Sequence, residues 1–377
     1  MKIETLAVHA GRAVEAGAGD VAPAIHLSTT FERGADGNFS RGYSYARADN
    51  PSRGALEKCI AQLEGGIDAI AFSSGSAASF AAFSLLRSGE RVIAPHECYH
   101  GTGKQLRDLA AAGNLRAAFV DTTEHGMVRT QLELDAQLLW LETPSNPTLN
   151  ISDIQVLCEL AHAARAIVCC DNTFATPVLQ RPFTLGADLV IHSTTKYFGG
   201  HSDVMGGVVV VRDSTELAAK IRDYQATAGA VPSPFDCWLA RRSIATLPYR
   251  MRAQTANAQR VAEFLADHPQ VERVFYPGLA AHPGHELARR QMPGGFGAMV
   301  SFCVKGSAQD ALRVAGRTRL LVRATSLGGV ESLIEHRASV EGPHTRTPQN
   351  LLRMSIGLEH ADDLIADLRQ ALESNHA

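Results

Sequence analysis

Apolar residues recur along this chain in two rhythms. From Gly54 onward, Ala55, Leu56, Cys59, Ile60 and Leu63 follow helical spacing, and the pattern stops at Gly65-Gly66. Short apolar runs then alternate with helical stretches. The runs at 69–72, 91–94, 116–120, 138–141, 166–170, 189–192 and 208–211 read as strands. Such alternation predicts an α/β fold, a mostly parallel sheet covered by helices on both faces. A long helical region at roughly 235–266 follows the Pro232-Ser233-Pro234 break. Beyond it strands are expected at 271–275, 298–303 and 351–356, and a helix at 362–372 closes the chain.

Residues 1–51 are rich in Gly, Ala and Arg and show little periodicity, so they read as an extended arm with too few apolar residues for a core of its own. The expected organisation is this arm, a large domain at 52–242, and a smaller α+β domain at 243–377 hung on the long helix. No internal repeat or low-complexity tract is visible.

Composition narrows the classes. The 377 residues suffice for a large core, and 45% hydrophobic with 20% charged residues is the balance of a soluble globular protein. A net charge of −3 gives no general attraction to nucleic acid or membrane. Met1-Lys2-Ile3-Glu4-Thr5 lacks the apolar core of a signal peptide, and no run is long enough to span a bilayer, so a cytoplasmic location is expected. The seven cysteines are scattered, without a C-x-x-C pair, and read mostly as small buried hydrophobes. His282-Pro283-Gly284-His285 has no partner cysteines nearby, and no metal is expected. Arg241, Arg242, Arg250 and Arg252 read as a solvated helix face.

Ligands of a parallel sheet gather beyond the carboxyl ends of its strands, so the polar residues that end the apolar runs carry the candidate chemistry. The run at 166–170 ends at Asp171, followed by Asn172-Thr173. The run at 188–191 ends in His192-Ser193-Thr194-Thr195-Lys196, and that at 69–72 enters Ser73-Ser74-Gly75-Ser76 and an Ala-rich helix. An Asp after a strand is commonly a helix cap and a Ser/Gly turn only a turn. Together, however, these residues meet the needs of pyridoxal 5′-phosphate (PLP). A lysine amine forms the Schiff base, a carboxylate keeps the pyridine nitrogen protonated, and a helix amino terminus with hydroxyls receives the phosphate. Of Lys2, Lys58, Lys104, Lys196, Lys220 and Lys305, only Lys196 follows a buried strand amid hydroxyls; Lys104 follows a loop at 98–103.

The chain resembles the Cys/Met-metabolism family of PLP enzymes over nearly its whole length. The resemblance rests on Asp188-Leu189-Val190-Ile191-His192-Ser193-Thr194-Thr195-Lys196-Tyr197 and Gly200-His201-Ser202-Asp203. It extends to Tyr45-Ala46-Arg47, Glu142-Thr143-Pro144-Ser145-Asn146-Pro147, Asp171-Asn172-Thr173-Phe174, Ser326-Leu327-Gly328-Gly329 and Leu352-Arg353-Met354-Ser355. It implies an aspartate-aminotransferase-like PLP fold (fold type I). Lys196 is then the Schiff-base lysine and a proton carrier, and Asp171 the partner of the pyridine nitrogen. Gly75, Ser76, Ser193 and Thr195 hold the phosphate. Tyr99 stacks on the ring and serves in proton transfer, Arg353 clamps the substrate α-carboxylate, and Asn146 and Ser326 contact cofactor or substrate. Tyr45 and Arg47 reach the phosphate of a neighbouring subunit, in a homotetramer of two dimers that share their sites.

The implied activity is γ-elimination or γ-replacement on a sulfur or homoserine-derived amino acid. Within it the order of preference is cystathionine γ-lyase, then cystathionine γ-synthase acting on an O-acyl-homoserine, then methionine γ-lyase. The segment from Gly229 to Cys237 favours the first, while Gly101 stands where a methionine γ-lyase would carry cysteine. Thr325 stands where cystathionine-handling members often carry glutamate, and His100 and the stretch 336–344 also depart from the family pattern, the latter expected at the substrate entrance. A non-catalytic PLP carrier is the reading from another class; Tyr99, Arg353 and Lys196 argue against it.

Overall fold

All seven apolar runs of the first half pair into one sheet in a computed structural model that describes residues 1–14, 17, 19–341 and 346–373. Its strands are β1 (Asp68–Phe72), β2 (Arg91–Pro95), β3 (Arg116–Val120), β4 (Ala136–Glu142), β5 (Ile167–Asp171), β6 (Leu189–Ser193) and β7 (Gly207–Val211). Their spatial order is β1-β7-β6-β5-β4-β2-β3. Only β7 runs against its neighbours β1 and β6; the remaining pairs are parallel. β7 is Gly-Val-Val-Val-Val, buried throughout, as a strand covered on both faces requires.

The helix Pro51–Glu64 shows why the covering elements begin and end where they do. Asn50 accepts from the amides of Ser52 (2.9 Å) and Arg53 (3.3 Å), Pro51 sits where no amide is needed, and Gly65 at φ 84° stops the helix.

The second half forms a five-stranded sheet from β8 (Val271–Phe275), β9 (Met299–Val304), β10 (Val322–Arg323), β11 (Leu333–His336) and β12 (Leu351–Ser355), ordered β10-β11-β12-β9-β8. β10 and β11 were not legible in the sequence. β10 is two exposed residues, and β11 buries Glu335 and His336 beside Leu333 and Ile334, which erases the apolar signal. The helical region at 235–266 is not one helix but two, Pro234–Ile244 and Leu247–Ala266. Pro248 lies in the first turn of the second helix, where a missing amide costs nothing, whereas within a continuous helix it would leave a carbonyl without its donor.

Two further expectations are corrected. The arm is not extended throughout: Ile3–His9 is a helix, and Ala7 and Ala10 join the main core against the helices Pro51–Glu64 and Leu247–Ala266. Farther along it, Val21, Leu27 and Tyr45 are exposed. The four arginines are not one solvated face either, because Arg241 and Arg250 are buried. Arg241 donates to Ala10 O (2.9 Å), and Arg250 to Tyr197 O (2.8 Å) and Ser243 O (3.1 Å). All seven cysteines are buried free thiols. Among the described residues no helix is long and apolar enough to cross a membrane.

Candidate active site

A cavity of about 220 Å³ opens beyond the carboxyl ends of β4, β5 and β6, with residues of the second sheet forming its far wall. Asp171, the last residue of β5, accepts from Thr173 N (2.9 Å). Burial raises its pKa, against the Thr173 hydrogen bonds and the nearby His192, which lower it. Behind it, Glu64 Oε1 meets both His192 Nε2 (2.5 Å) and Asn172 Nδ2 (3.0 Å), a polar support buried in the core.

At one end of the cavity the helix Gly75–Phe83 begins, and Ser74 Oγ caps it by accepting from Ala77 N (3.1 Å). A Cβ on Gly75 would sit 2.9 Å from Ser193 Cβ, so only glycine lets the helix start approach the end of β6. Ser76, Ser193 and Thr195 line the same end.

Lys196 stands on the turn after β6, and its Nζ donates to Ser326 Oγ (2.8 Å). Burial, then Arg353, depress its pKa to about 8; Glu335 pulls the other way and Arg337 adds to the depression. Ser326 itself has φ 127°, a conformation L residues rarely adopt, at the point where it meets the amine.

Arg353 comes from β12, in register opposite Glu335 of β11. It donates to Asn146 Oδ1 (2.9 Å), to Ser326 O (3.2 Å) and to Glu335 Oε1. Glu335 Oε1 also receives Arg337 Nη1 (2.9 Å), and Arg337 turns its other side to Glu341 Oε1 (2.9 Å). Four charges of alternating sign thus back the cavity. Burial holds Arg353 down to about 10.

Gly75, Ser76, Tyr99, Asn146, Asp171, Ser193, Thr195, Lys196, Thr325, Ser326 and Arg353 all line this one cavity. Tyr45 and Arg47 do not. Both are exposed on the arm, where the Arg47 guanidinium lies 5.5 Å from the centre of the Tyr45 ring. The segment read as a loop at 98–103 becomes helical at His100, so Lys104 lies on the helix His100–Ala111 and pairs with Asp108. Of the stretch 336–344, Gly342, Pro343 and His344 lie outside the described residues, while Arg337 lines the cavity.

Sequence reasoning gave no role to Glu142 or Glu335, and marked His100 and the stretch that contains Arg337 only as departures from the family pattern, the stretch being expected at the substrate entrance. Glu142 had a signal, since it ends the apolar run of β4 as Asp171 ends that of β5. His100 sits edge-on to Tyr99, with ring centres 4.7 Å apart.

The sequence profile of the family described as Cys/Met metabolism PLP-dependent enzyme matches residues 4–373. The cystathionine γ-synthase of Mycobacterium tuberculosis (strain ATCC 25618 / H37Rv) is 45% identical over 374 residues, covering 98% of this chain and 96% of the relative. The cystathionine γ-lyase of Dictyostelium discoideum is 43% identical over 380 residues, covering 99% and 98%. The crystal structure of metB from Corynebacterium glutamicum superposes with a TM-score of 0.97 at 40% identity, covering 100% of this chain and 99% of that one.

Proposed function

From the premise that this chain belongs to the Cys/Met metabolism PLP-dependent enzymes, we propose that it works at the γ carbon of its substrate and cleaves cystathionine to cysteine, 2-oxobutyrate and ammonia. The observation that carries the reading is one half-buried amine, Lys196, held near pKa 8 in the cavity that also contains Arg353 and Asp171.

The residues fit the cofactor. Asp171 is a half-buried carboxylate that accepts from Thr173 and, among the described residues, has no ion-pair partner; a protonated ring nitrogen would supply one. The first turn of Gly75–Phe83, with Ser76, Ser193 and Thr195, offers donors to a phosphate. Lys196 supplies the attachment point and Tyr99 an aromatic face. PLP bound there supplies the electron sink that makes protons on the substrate removable.

The chain's own groups do the rest. Arg353 holds the α-carboxylate through its fork, with Asn146 and Glu335 fixing the guanidinium. The Lys196 amine, uncharged in a large fraction of molecules near pH 8, takes a proton from Cα, hands it on to the bound cofactor, which would accept it, and is then free to take one from Cβ. Two removals from adjacent carbons need one base on a flexible stem, and Lys196 is the amine in the cavity. The Tyr99 hydroxyl gives a proton to the departing sulfur.

The Tyr45–Arg47 part of the arm is exposed and away from this cavity, which supports a second copy of the chain completing each site, in a dimer or a dimer of dimers. Replacement of an acyl group on O-acyl-homoserine by cysteine is the second reading, favoured by the similarity to the mycobacterial cystathionine γ-synthase. Both reactions share cystathionine, as substrate of one and product of the other. A product screen decides: the holoenzyme is given cystathionine, methionine, and O-acetyl- or O-succinyl-homoserine with and without cysteine. Cysteine and 2-oxobutyrate from cystathionine are expected. Pyruvate and homocysteine as main products would mean attack at Cβ and end the proposal.

A further inference from the structure

Glu142 and Asp171 close neighbouring parallel strands, β4 and β5, and are register partners, so their side chains leave the same face of the sheet. Both enter the cavity wall. Two carboxylates at paired register positions, with Glu142 buried and Asp171 half-buried, do not both ionise readily, and one keeps a proton.

The hydrogen bonds decide which. Asp171 receives the amide of Thr173 at 2.9 Å, and the Thr173 hydroxyl and His192 favour its charged form as well. Among the described residues, Glu142 accepts one hydrogen bond, at Oε2 from Tyr99 N (2.7 Å), and forms no ion pair. The groups that face it are Asp171 from β5, Cys98, Tyr99 and His100 ahead of and at the start of the next helix, Lys196 from the turn after β6, and Arg337 and Arg353 from the second sheet. The two arginines are already paired with Glu335.

We infer that Glu142 is the proton-bearing member of this pair, a neutral carboxylic acid that seats Tyr99 through one oxygen and offers an O–H to the cavity through the other. It is a positioning residue, acting through Tyr99 and leaving Asp171 the charged member of the pair. Burial, and then the charge of Asp171, hold the Glu142 carboxyl well above the usual range, in agreement. The sign of the linkage follows: unfolded chains release this proton near pH 4.5 while the folded chain keeps it, so its contribution to stability falls as pH rises toward the folded pKa. The proton on Glu142 does not depend on the proposed activity; the meaning of Asp171 as partner of a ring nitrogen does.

The test is infrared spectroscopy of the holoenzyme at about pH 8, where an ordinary carboxyl is fully ionised. Protein is labelled with ¹³C at either glutamate or aspartate carboxyls. A protonated-carboxyl C=O band is expected that shifts with the glutamate label and is lost in Glu142→Gln. Because glutamine keeps both an acceptor for Tyr99 and a donor, Glu142→Gln should hold kcat/KM within about threefold, whereas Glu142→Ala should lose about tenfold or more. The stability of Glu142→Gln should also fall less than wild type between pH 5 and 8. Where Glu142→Gln is unstable, Glu142→Asp serves instead, and there the band should move from the glutamate to the aspartate label. In the wild-type protein, a missing band, or one that follows the aspartate label, overturns the inference. A protein that binds PLP but turns over none of the candidate substrates would end the proposed activity while leaving the band to decide on Glu142.

Discussion

Replacing Glu335 by Gln removes the carboxylate that two buried guanidiniums share. Arg353 and Arg337 both donate to its Oε1, and the three side chains are between 2% and 7% exposed. Charge centres near 4 Å interact by about 4 kcal/mol at an effective dielectric of about 20. Two such contacts vanish and two like charges are left facing each other, while the chain no longer has to desolvate a carboxylate. Breaking a buried pair in this way typically costs about 3–5 kcal/mol net, and that is the destabilisation expected here. Urea denaturation of the holoenzyme, followed by near-UV circular dichroism and cofactor absorbance, measures it. Removing one guanidinium together with the carboxylate should recover part of the loss, so Glu335→Gln/Arg337→Gln should be more stable than Glu335→Gln alone. A loss below about 1 kcal/mol, or strict additivity in the double variant, would refute the view that Glu335 holds the two arginines in place.

Two other outcomes follow from the same geometry. Only the uncharged amine of Lys196 can capture the cofactor, so the rate at which apoenzyme turns yellow with PLP should rise about tenfold from pH 7 to 9 and then level off, as a pKa of about 8 requires; a rate still climbing above about pH 9.5 would mean an ordinary lysine. Mixed dimers of Arg47→Ala and Lys196→Ala subunits, each parent inactive, should recover activity because one of their two sites is intact, and a fully active monomer in sedimentation would exclude shared sites.

The parts of the site that follow buried strands were legible because their signal is local. Asp171 comes directly after Ile-Val-Cys-Cys, and Lys196 on the turn that follows the strand begun by Leu-Val-Ile, where the end of a strand marks where a ligand can be reached. Glu335 and Arg337 carry no such mark. Their burial depends on pairing with Arg353 across the second sheet, and an isolated charge in a sequence reads as solvated until its partner is known. Arg241 and Arg250 misled for a related reason, since their partners are backbone carbonyls that charge patterns cannot reveal. The helix Ile3–His9 was missed because its few apolar positions gain meaning only against helices near residues 60 and 250.

The turn that carries Lys196 explains how a base can be mobile on a rigid mount. Arg250 holds Tyr197 O at 2.8 Å, and within the turn Gly199 N reaches Thr194 O (2.8 Å) and Gly200 N reaches Lys196 O (2.7 Å). Gly200 has φ 68°, and a Cβ there would fall 2.3 Å from Arg250 Nη1. From the other side, a Cβ on Gly328 would come within 2.6 Å of Tyr197 N, so the 326–329 segment lies directly against the same turn. Both sheets therefore pin the backbone at Lys196, one through the end of β6 and the other through the segment that also carries Ser326. The freedom that remains is in the four-carbon stem of the lysine, whose amine contacts one hydroxyl, Ser326 Oγ, and, among the described residues, no carboxylate. A neutral hydroxyl holds an amine weakly compared with an ion pair. The same segment that fixes the backbone thus leaves the amine able to move, which the transfer of protons from two adjacent carbons requires.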